Sequence, residues 1–140
     1  MIQNDLKFFT RFATILKSNT QFFDVLVGYF RSSGFFKLYE ALEAVEKIRI
    51  LVGLSVDKFT VKIIDHAKQE EITTGLSSNE GKAVLIEEVK TEFEQTDTSS
   101  EIEKGVRIFI DWLKSGKLEM RMYTEAPIHA KVYIMRKDPV

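Results

Sequence analysis

The chain has 140 residues, a length typical of one domain built around one hydrophobic core. Its 20 basic and 21 acidic side chains leave a net charge of −1, so no global positive field attracts a polyanion and a nucleic-acid site must be a local patch. The absence of cysteine excludes disulfides, thiolate metal sites and a cysteine nucleophile. Because the sequence shows neither a signal-peptide pattern nor a membrane-length apolar run, we expect a soluble cytoplasmic protein.

The N-terminal half shows the pattern helix, strand, helix, strand. Apolar residues at helical spacing predict a first helix over 4–16. The segment 22–30 is rich in β-branched and aromatic residues and has few polar positions, which indicates a central strand without an exposed face. A tight turn is expected over 31–34, followed by a second helical stripe and by a buried strand over 48–54. This order is a βαβ unit, which predicts two parallel strands and the α/β class.

The C-terminal half contains helices and then two strands. Three helices are predicted, over 57–68, 79–94 and 100–113. The first of them also fits a strand, because Phe59, Val61 and Ile63 alternate, but Asp57 is a good helix cap and favours the helix. The polar run 95–100 is expected to be a hinge, and Gly116 to close the last helix. Period-two alternation predicts strands over 118–123 and 128–135.

His129 and Lys131 are the candidate chemical pair. In a strand, residues two apart point to the same face at a separation of roughly 7 Å, so an imidazole and an ammonium would converge on one volume. Neutral imidazole can attack phosphorus or transfer a proton near neutral pH, and a lysine can hold an anionic oxygen through charge-assisted hydrogen bonds. The pair therefore indicates phosphoryl chemistry, although polar strand faces are common and coincidence is the alternative.

Four segments of the chain resemble one known family. The segment from His129 to Ile134 resembles the opening of the histidine-lysine-aspartate motif of the phospholipase D superfamily, which includes nucleases. Upstream, the segments 27–35, 46–54 and 115–121 resemble the matching parts of the phospholipase D-like domain that precedes the motor of certain bacterial Swi/Snf-type and DEAD/DEAH-type helicases. The resemblance implies a phospholipase D-like fold: a mixed, largely parallel sheet flanked by helices.

The resemblance also implies a reaction mechanism, and it implies that the domain continues beyond residue 140. In that family one histidine forms a phosphohistidine, a second histidine from a partner half protonates the leaving group, and lysines hold the phosphate without a metal. By resemblance His129 is the nucleophile or acid and Lys131 the phosphate clamp. The family's aspartate corresponds to Arg136 here, and the nearest acid, Asp138, is two positions late. We therefore expect residues 1–140 to be one domain, truncated at its C-terminal end, of a longer protein.

Further candidate contacts to phosphate lie upstream. Ser33 and Gly34, with Ser32, could present a hydroxyl and backbone N–H groups to a phosphate at a helix N-terminus, and a plain helix cap is an equal alternative. Arg31 and Arg121 are candidate anion contacts, although a solvated or ion-paired arginine is the commoner fate. No metal ligand set is visible, and no cofactor is expected in this chain. ATP belongs only to the expected motor of the parent protein, because the chain has no Walker-type loop.

Three functions follow from these patterns. The first is the N-terminal phosphodiesterase or nuclease-type domain of a larger helicase, which acts on or binds the phosphodiesters of DNA or RNA. The second is a non-catalytic nucleic-acid-binding or protein-interaction module that kept the fold, and the third is a purely structural α/β domain. Catalysis would require a second half-site, such as a second copy in a homodimer, and the chain alone is expected to be inactive or barely active.

Overall fold

The computed structural model describes the backbone of residues 2–72, 76–93 and 99–139. The helices in these ranges are α1 (Ile2–Asn19), α2 (Ser32–Leu42), α3 (Lys58–Ile72), α4 (Leu76–Phe93) and α5 (Ser99–Ser115). The strands are β1 (Phe22–Phe30), β2 (Lys47–Val56), β3 (Leu118–Met122) and β4 (Lys131–Arg136). None of the described helices is long and apolar enough to cross a membrane.

The four strands form one mixed sheet in the order β3-β2-β1-β4. Strands β1 and β2 are parallel, with Phe22 opposite Lys47, and β2 and β3 are parallel as well. Strand β4 runs antiparallel to β1, with Val27 opposite Lys131. The predicted α/β class, the largely parallel sheet and the parallel βαβ pair are therefore confirmed.

The hydrophobic core lies between one face of the sheet and the helices. Both crossovers move along the sheet in the same direction, so right-handed connections place their helices on the same face. On that face the ring of Phe12 from α1 contacts Phe23 of β1, and the ring of Phe109 from α5 contacts Phe30. Phe35 of α2 packs against Phe109, with 4.4 Å between ring centroids. The opposite face of the sheet is not covered by any described helix.

Three predicted features differ in the structure. Residues 31–34 are not a separate turn: α2 begins at Ser32, because the carboxylate of Asp57 accepts a hydrogen bond from the Ser32 N–H and holds the helix end. Strand β1 is central, but its face bearing Asp24 is partly exposed instead of buried. His129 precedes β4, which begins at Lys131.

The remaining predicted elements agree with the structure apart from their ends. Residues 57–68 belong to a helix, α3, and not to a strand. The first helix is longer than predicted and runs from Ile2 to Asn19. Gly116 follows α5 with φ of +83°, the left-handed conformation that closes a helix. Most of the expected hinge over 95–100 lies outside the described residues.

Candidate functional site

The connection between β3 and β4 crosses the carboxyl ends of the two central strands. Strands β3 and β4 are at opposite edges of the sheet, so the segment 123–130 passes over β2 and then β1. The Tyr123 N–H donates to the carbonyl of Val52 at 2.9 Å, and the Ile128 N–H donates to that of Gly53 at 3.3 Å. The N–H of Gly28 in turn donates to the Ala130 carbonyl at 2.9 Å. These bonds hold His129 above the end of β1.

Two glycines make this close crossing possible. A Cβ atom on Gly53 would lie 2.3 Å from the Ile128 carbonyl oxygen, a distance that no side chain tolerates. A Cβ atom on Gly28 would lie 3.1 Å from Cδ2 of the His129 ring, which is tighter than ordinary van der Waals contact. The pairing of β1 with β2 is irregular at the same level, between Val27 and Tyr29. Gly28 and Gly53 therefore set the position of the histidine.

A cavity of about 660 Å³ opens beside this crossing, on the helix-covered side of the sheet. Its interior is apolar and is formed by residues such as Val25, Ile50 and Phe35. The predicted site residues that line it come from two distant parts of the chain: Arg31, Ser33, Gly34, His129 and Lys131. Five of the six candidate residues thus line one cavity, which reaches the end of β1 where α/β folds usually bind ligands.

The polar rim of the cavity continues along β4. His129 and Lys131 are exposed, and the His129 ring lies edge-on to Tyr29, with 6.1 Å between ring centroids. Tyr133 also lines the cavity and packs against Phe12. Burial raises the pKa of Tyr133, so its hydroxyl stays protonated at neutral pH and can donate a hydrogen bond. Tyr133 is not among the residues that the sequence predicts for the site, although its spacing of two from Lys131 indicates the same face of the strand.

The N-terminus of α2 is already occupied by a carboxylate. Asp57, which follows β2, accepts hydrogen bonds from the Ser32 N–H at 2.9 Å and the Ser32 hydroxyl at 2.6 Å. It also accepts one from the Thr60 hydroxyl. The Gly34 N–H donates to the Arg31 carbonyl at 3.1 Å. The expectation that Ser32 and Gly34 offer amides to a phosphate is therefore corrected, and positive charge at the rim comes from Arg31 and Lys131.

Arg121 does not share the cavity. It lies on the other face of the sheet, where its guanidinium contacts the Glu119 carboxylate at 2.7 Å. The alternation of side chains within each strand could not predict that Lys131 and Arg121 lie on different faces, because the two residues belong to strands at opposite edges of the sheet.

The two positions related to the family's aspartate are also distant from the cavity rim. Arg136 lies at the far end of β4, opposite Phe22, and its guanidinium is 3.4 Å from the Asp24 carboxylate. The Asp138 N–H donates to the Gln21 side chain at 3.0 Å, beside the start of β1. Since His129 lies near the other end of β1, neither residue can orient its ring.

Comparisons with protein-family models, curated proteins and solved structures find no match to this chain. In the part of the chain that the structure describes, no three histidine, aspartate or glutamate side chains gather in a way that could hold a metal ion.

Proposed function

We propose that the chain is a phospholipase D-like domain whose cavity binds a phosphodiester group of nucleic acid, as part of a larger helicase or nuclease. The observation that carries this proposal is the meeting of Arg31 and Ser33 with His129 and Lys131 at one cavity. The two pairs are about a hundred positions apart in the sequence. The resemblance implies His129 and Lys131, whereas a candidate helix N-terminus after a strand indicates Ser33, with Arg31 beside it.

The chemistry of the rim suits a phosphodiester. Lys131 and Arg31 supply charge-assisted hydrogen bonds to the anionic oxygens, and Ser33 supplies a neutral one. The apolar interior has room for a sugar or a base beneath a phosphate held at the rim. Because the net charge of the chain is −1, this local pair of cations must provide most of the attraction.

Hydrolysis would require a second histidine. In the proposed reaction an imidazole nitrogen of His129 forms a bond to phosphorus, the phosphorus bond to the leaving oxygen breaks, and a second imidazolium gives its proton to that oxygen. Water then cleaves the phosphorus–nitrogen bond. The chain's other histidine, His66, is on α3 and does not line the cavity. A second copy or another half-site must therefore supply the acid.

A binding module without turnover is the second candidate function, and Arg136 favours it. Arg136 stands at the position of the family's aspartate, and its guanidinium is hydrogen-bonded to the Asp24 carboxylate on the opposite face of the sheet. Nothing at that position can hold the imidazole in its reactive orientation. Binding uses only groups that already line the cavity, whereas hydrolysis needs two further groups.

Oligonucleotide binding tests the proposal. A fluorescently labelled single-stranded oligonucleotide should bind the wild-type chain, and Lys131→Gln should weaken binding about tenfold at low salt, which corresponds to the loss of one charge-assisted contact. Lys137→Gln is the matched control, because Lys137 is exposed just beyond β4 and does not line the cavity. Fluorescence anisotropy gives both affinities. Equal affinities for the two variants would contradict the proposed site.

A further inference from the structure

The sheet has an uncovered face opposite the proposed site, and the inference drawn from it does not depend on that site. Six side chains form the part of this surface that we call the open face: Asp24, Leu26, Arg49, Leu51, Val132 and Ile134. Val132 is 44% exposed and Ile134 is 49% exposed. Together with Leu26 and Leu51 they form an aliphatic centre that crosses three neighbouring strands.

Parallel strands are usually covered on both faces. Here β1 and β2 are parallel central strands, and their side chains on the helix side, such as Val25 and Ile50, are buried. On the open face the same strands carry Leu26 and Leu51, which no described helix covers. In α/β folds the element that covers such a face is an amphipathic helix. The open face is therefore a surface of the kind that a helix packs against.

The charged side chains of the open face differ in how deeply they are buried. The Asp24 side chain is 21% exposed and is bound by Arg49, whose side chain is 56% exposed. Glu119 at 35% and Arg121 at 77% repeat the arrangement on β3. In both pairs the carboxylate is the more buried partner, and the guanidinium projects outward. An incoming surface meets cations around an aliphatic centre.

We propose that the open face binds an acidic amphipathic helix of a partner protein, with apolar residues along one stripe and carboxylates beside it. The stripe would cover the aliphatic centre, and the carboxylates would meet Arg49 and Arg121. A second copy fits poorly, because its own arginines would face these. Nucleic acid fits poorly as well, because bases stack on aromatic rings and the centre is aliphatic.

A peptide library tests both parts of the proposal. Its members are helical peptides of about 18 residues with a fixed apolar stripe, and each flanking position is randomised among Glu, Gln and Lys. The immobilised wild-type chain should enrich glutamate at the flanking positions. Ile134→Glu should weaken the selected peptides at least about tenfold, because it puts a like charge into the apolar contact. Val84→Glu makes a similar change at a 60% exposed site on α4 and should leave the affinity unchanged.

Circular dichroism shows whether Ile134→Glu folds, and Ile134→Thr replaces it if it does not, since threonine is favourable in a strand. Enrichment of lysine, no enrichment, or equal binding by the Ile134 variant would overturn the proposal. Self-association removed by Ile134→Glu would assign the face to a second copy. Oligonucleotide binding that is lost in Ile134→Glu and kept in Lys131→Gln would assign it to nucleic acid.

Discussion

Gly53 is the residue on which the placement of His129 depends most directly. The Ile128 backbone lies against it so closely that even a methyl group would overlap the Ile128 carbonyl. The same two residues share a backbone hydrogen bond, so the contact is an anchor of the connection between β3 and β4. A residue without catalytic chemistry therefore controls where the imidazole lies.

Gly53→Ala should accordingly disturb both stability and binding. We expect a loss of about 1 to 3 kcal/mol in the free energy of unfolding, the range for overpacking a close contact, together with weaker oligonucleotide binding. Gly34→Ala is the control for stability, because a Cβ there meets nothing within 4 Å and alanine suits a helix. Urea unfolding measures the stability of both variants, and fluorescence anisotropy measures oligonucleotide binding by Gly53→Ala. A Gly53→Ala protein as stable as the wild type would contradict the close contact.

Asp57 joins α2 and α3 to the ends of β1 and β2. Its carboxylate accepts hydrogen bonds from Ser32 at the start of α2 and from Thr60 at the start of α3. Ser32 is fully buried, so its N–H and hydroxyl have no access to water. One side chain thus stabilises the ends of two helices and leaves only part of the α2 N-terminus for a ligand.

Asp57→Ala should destabilise the chain by about 2 kcal/mol, because it removes a helix cap and leaves buried donors of Ser32 without an acceptor. Asp57→Asn should cost less, since its carbonyl oxygen still accepts a bond. Asp65→Ala, at an exposed position on α3, should change stability by less than about 0.5 kcal/mol. The three variants are compared by urea unfolding. Equal losses for Asp57→Ala and Asp65→Ala would refute the role of Asp57.

The pH dependence of stability should report on the ion pairs of the sheet. The Arg49 hydrogen bond holds the pKa of Asp24 below its ordinary value of 3.8, and Arg136 adds to the effect. A depressed pKa in the folded state gives stability that is complete above 3.8 and is lost as the pH falls through the lower, folded-state pKa. Asp24→Asn should therefore lower the Tm at pH 6, with the difference from wild type shrinking toward pH 3. A difference that does not vary with pH would contradict the pairing.

Local patterns in the sequence predicted the elements better than the contacts between them. The run from Phe22 to Phe30 predicts a strand because it is rich in β-branched and aromatic residues. The exposed face of β1 could not be predicted, because Leu26 is as apolar as a core residue and only the assembled sheet shows that it lies on the uncovered face. The sequence predicts Asp57 as a cap for its own helix, but its hydrogen bond to Ser32 spans 25 positions and has no sequence signal.

The sheet separates two surfaces of the molecule. The cavity lies on the helix side and extends along β1 to its carboxyl end, and the open face lies on the other side. Variants at Lys131 and at Ile134 should therefore act independently, each affecting one kind of ligand. Measuring oligonucleotide and peptide affinity for both variants tests this separation, and a loss of both affinities in either variant would contradict it.

Catalytic turnover should require two half-sites, so one chain alone is not expected to support it. The 140-residue chain should hydrolyse phosphodiesters barely or not at all, because one cavity holds one histidine and the reaction needs a leaving-group acid. Release of p-nitrophenol from bis(p-nitrophenyl) phosphate, with and without EDTA, measures this. Efficient turnover by the monomer would contradict the requirement for a second half-site. Turnover that depends strictly on Mg²⁺ would contradict the histidine mechanism.

The two histidines of the chain are reporters that test most directly whether the cavity binds a phosphodiester. Their ring-proton NMR resonances can be followed while a thymidine dinucleotide, which contains one phosphodiester, is added. The proposed site predicts that the His129 resonances shift and saturate, that the His66 resonances stay unchanged, and that Lys131→Gln moves saturation to about tenfold higher concentration. Equal shifts of both histidines, no shift of His129, or a titration unaffected by Lys131→Gln would contradict a phosphodiester site at this cavity.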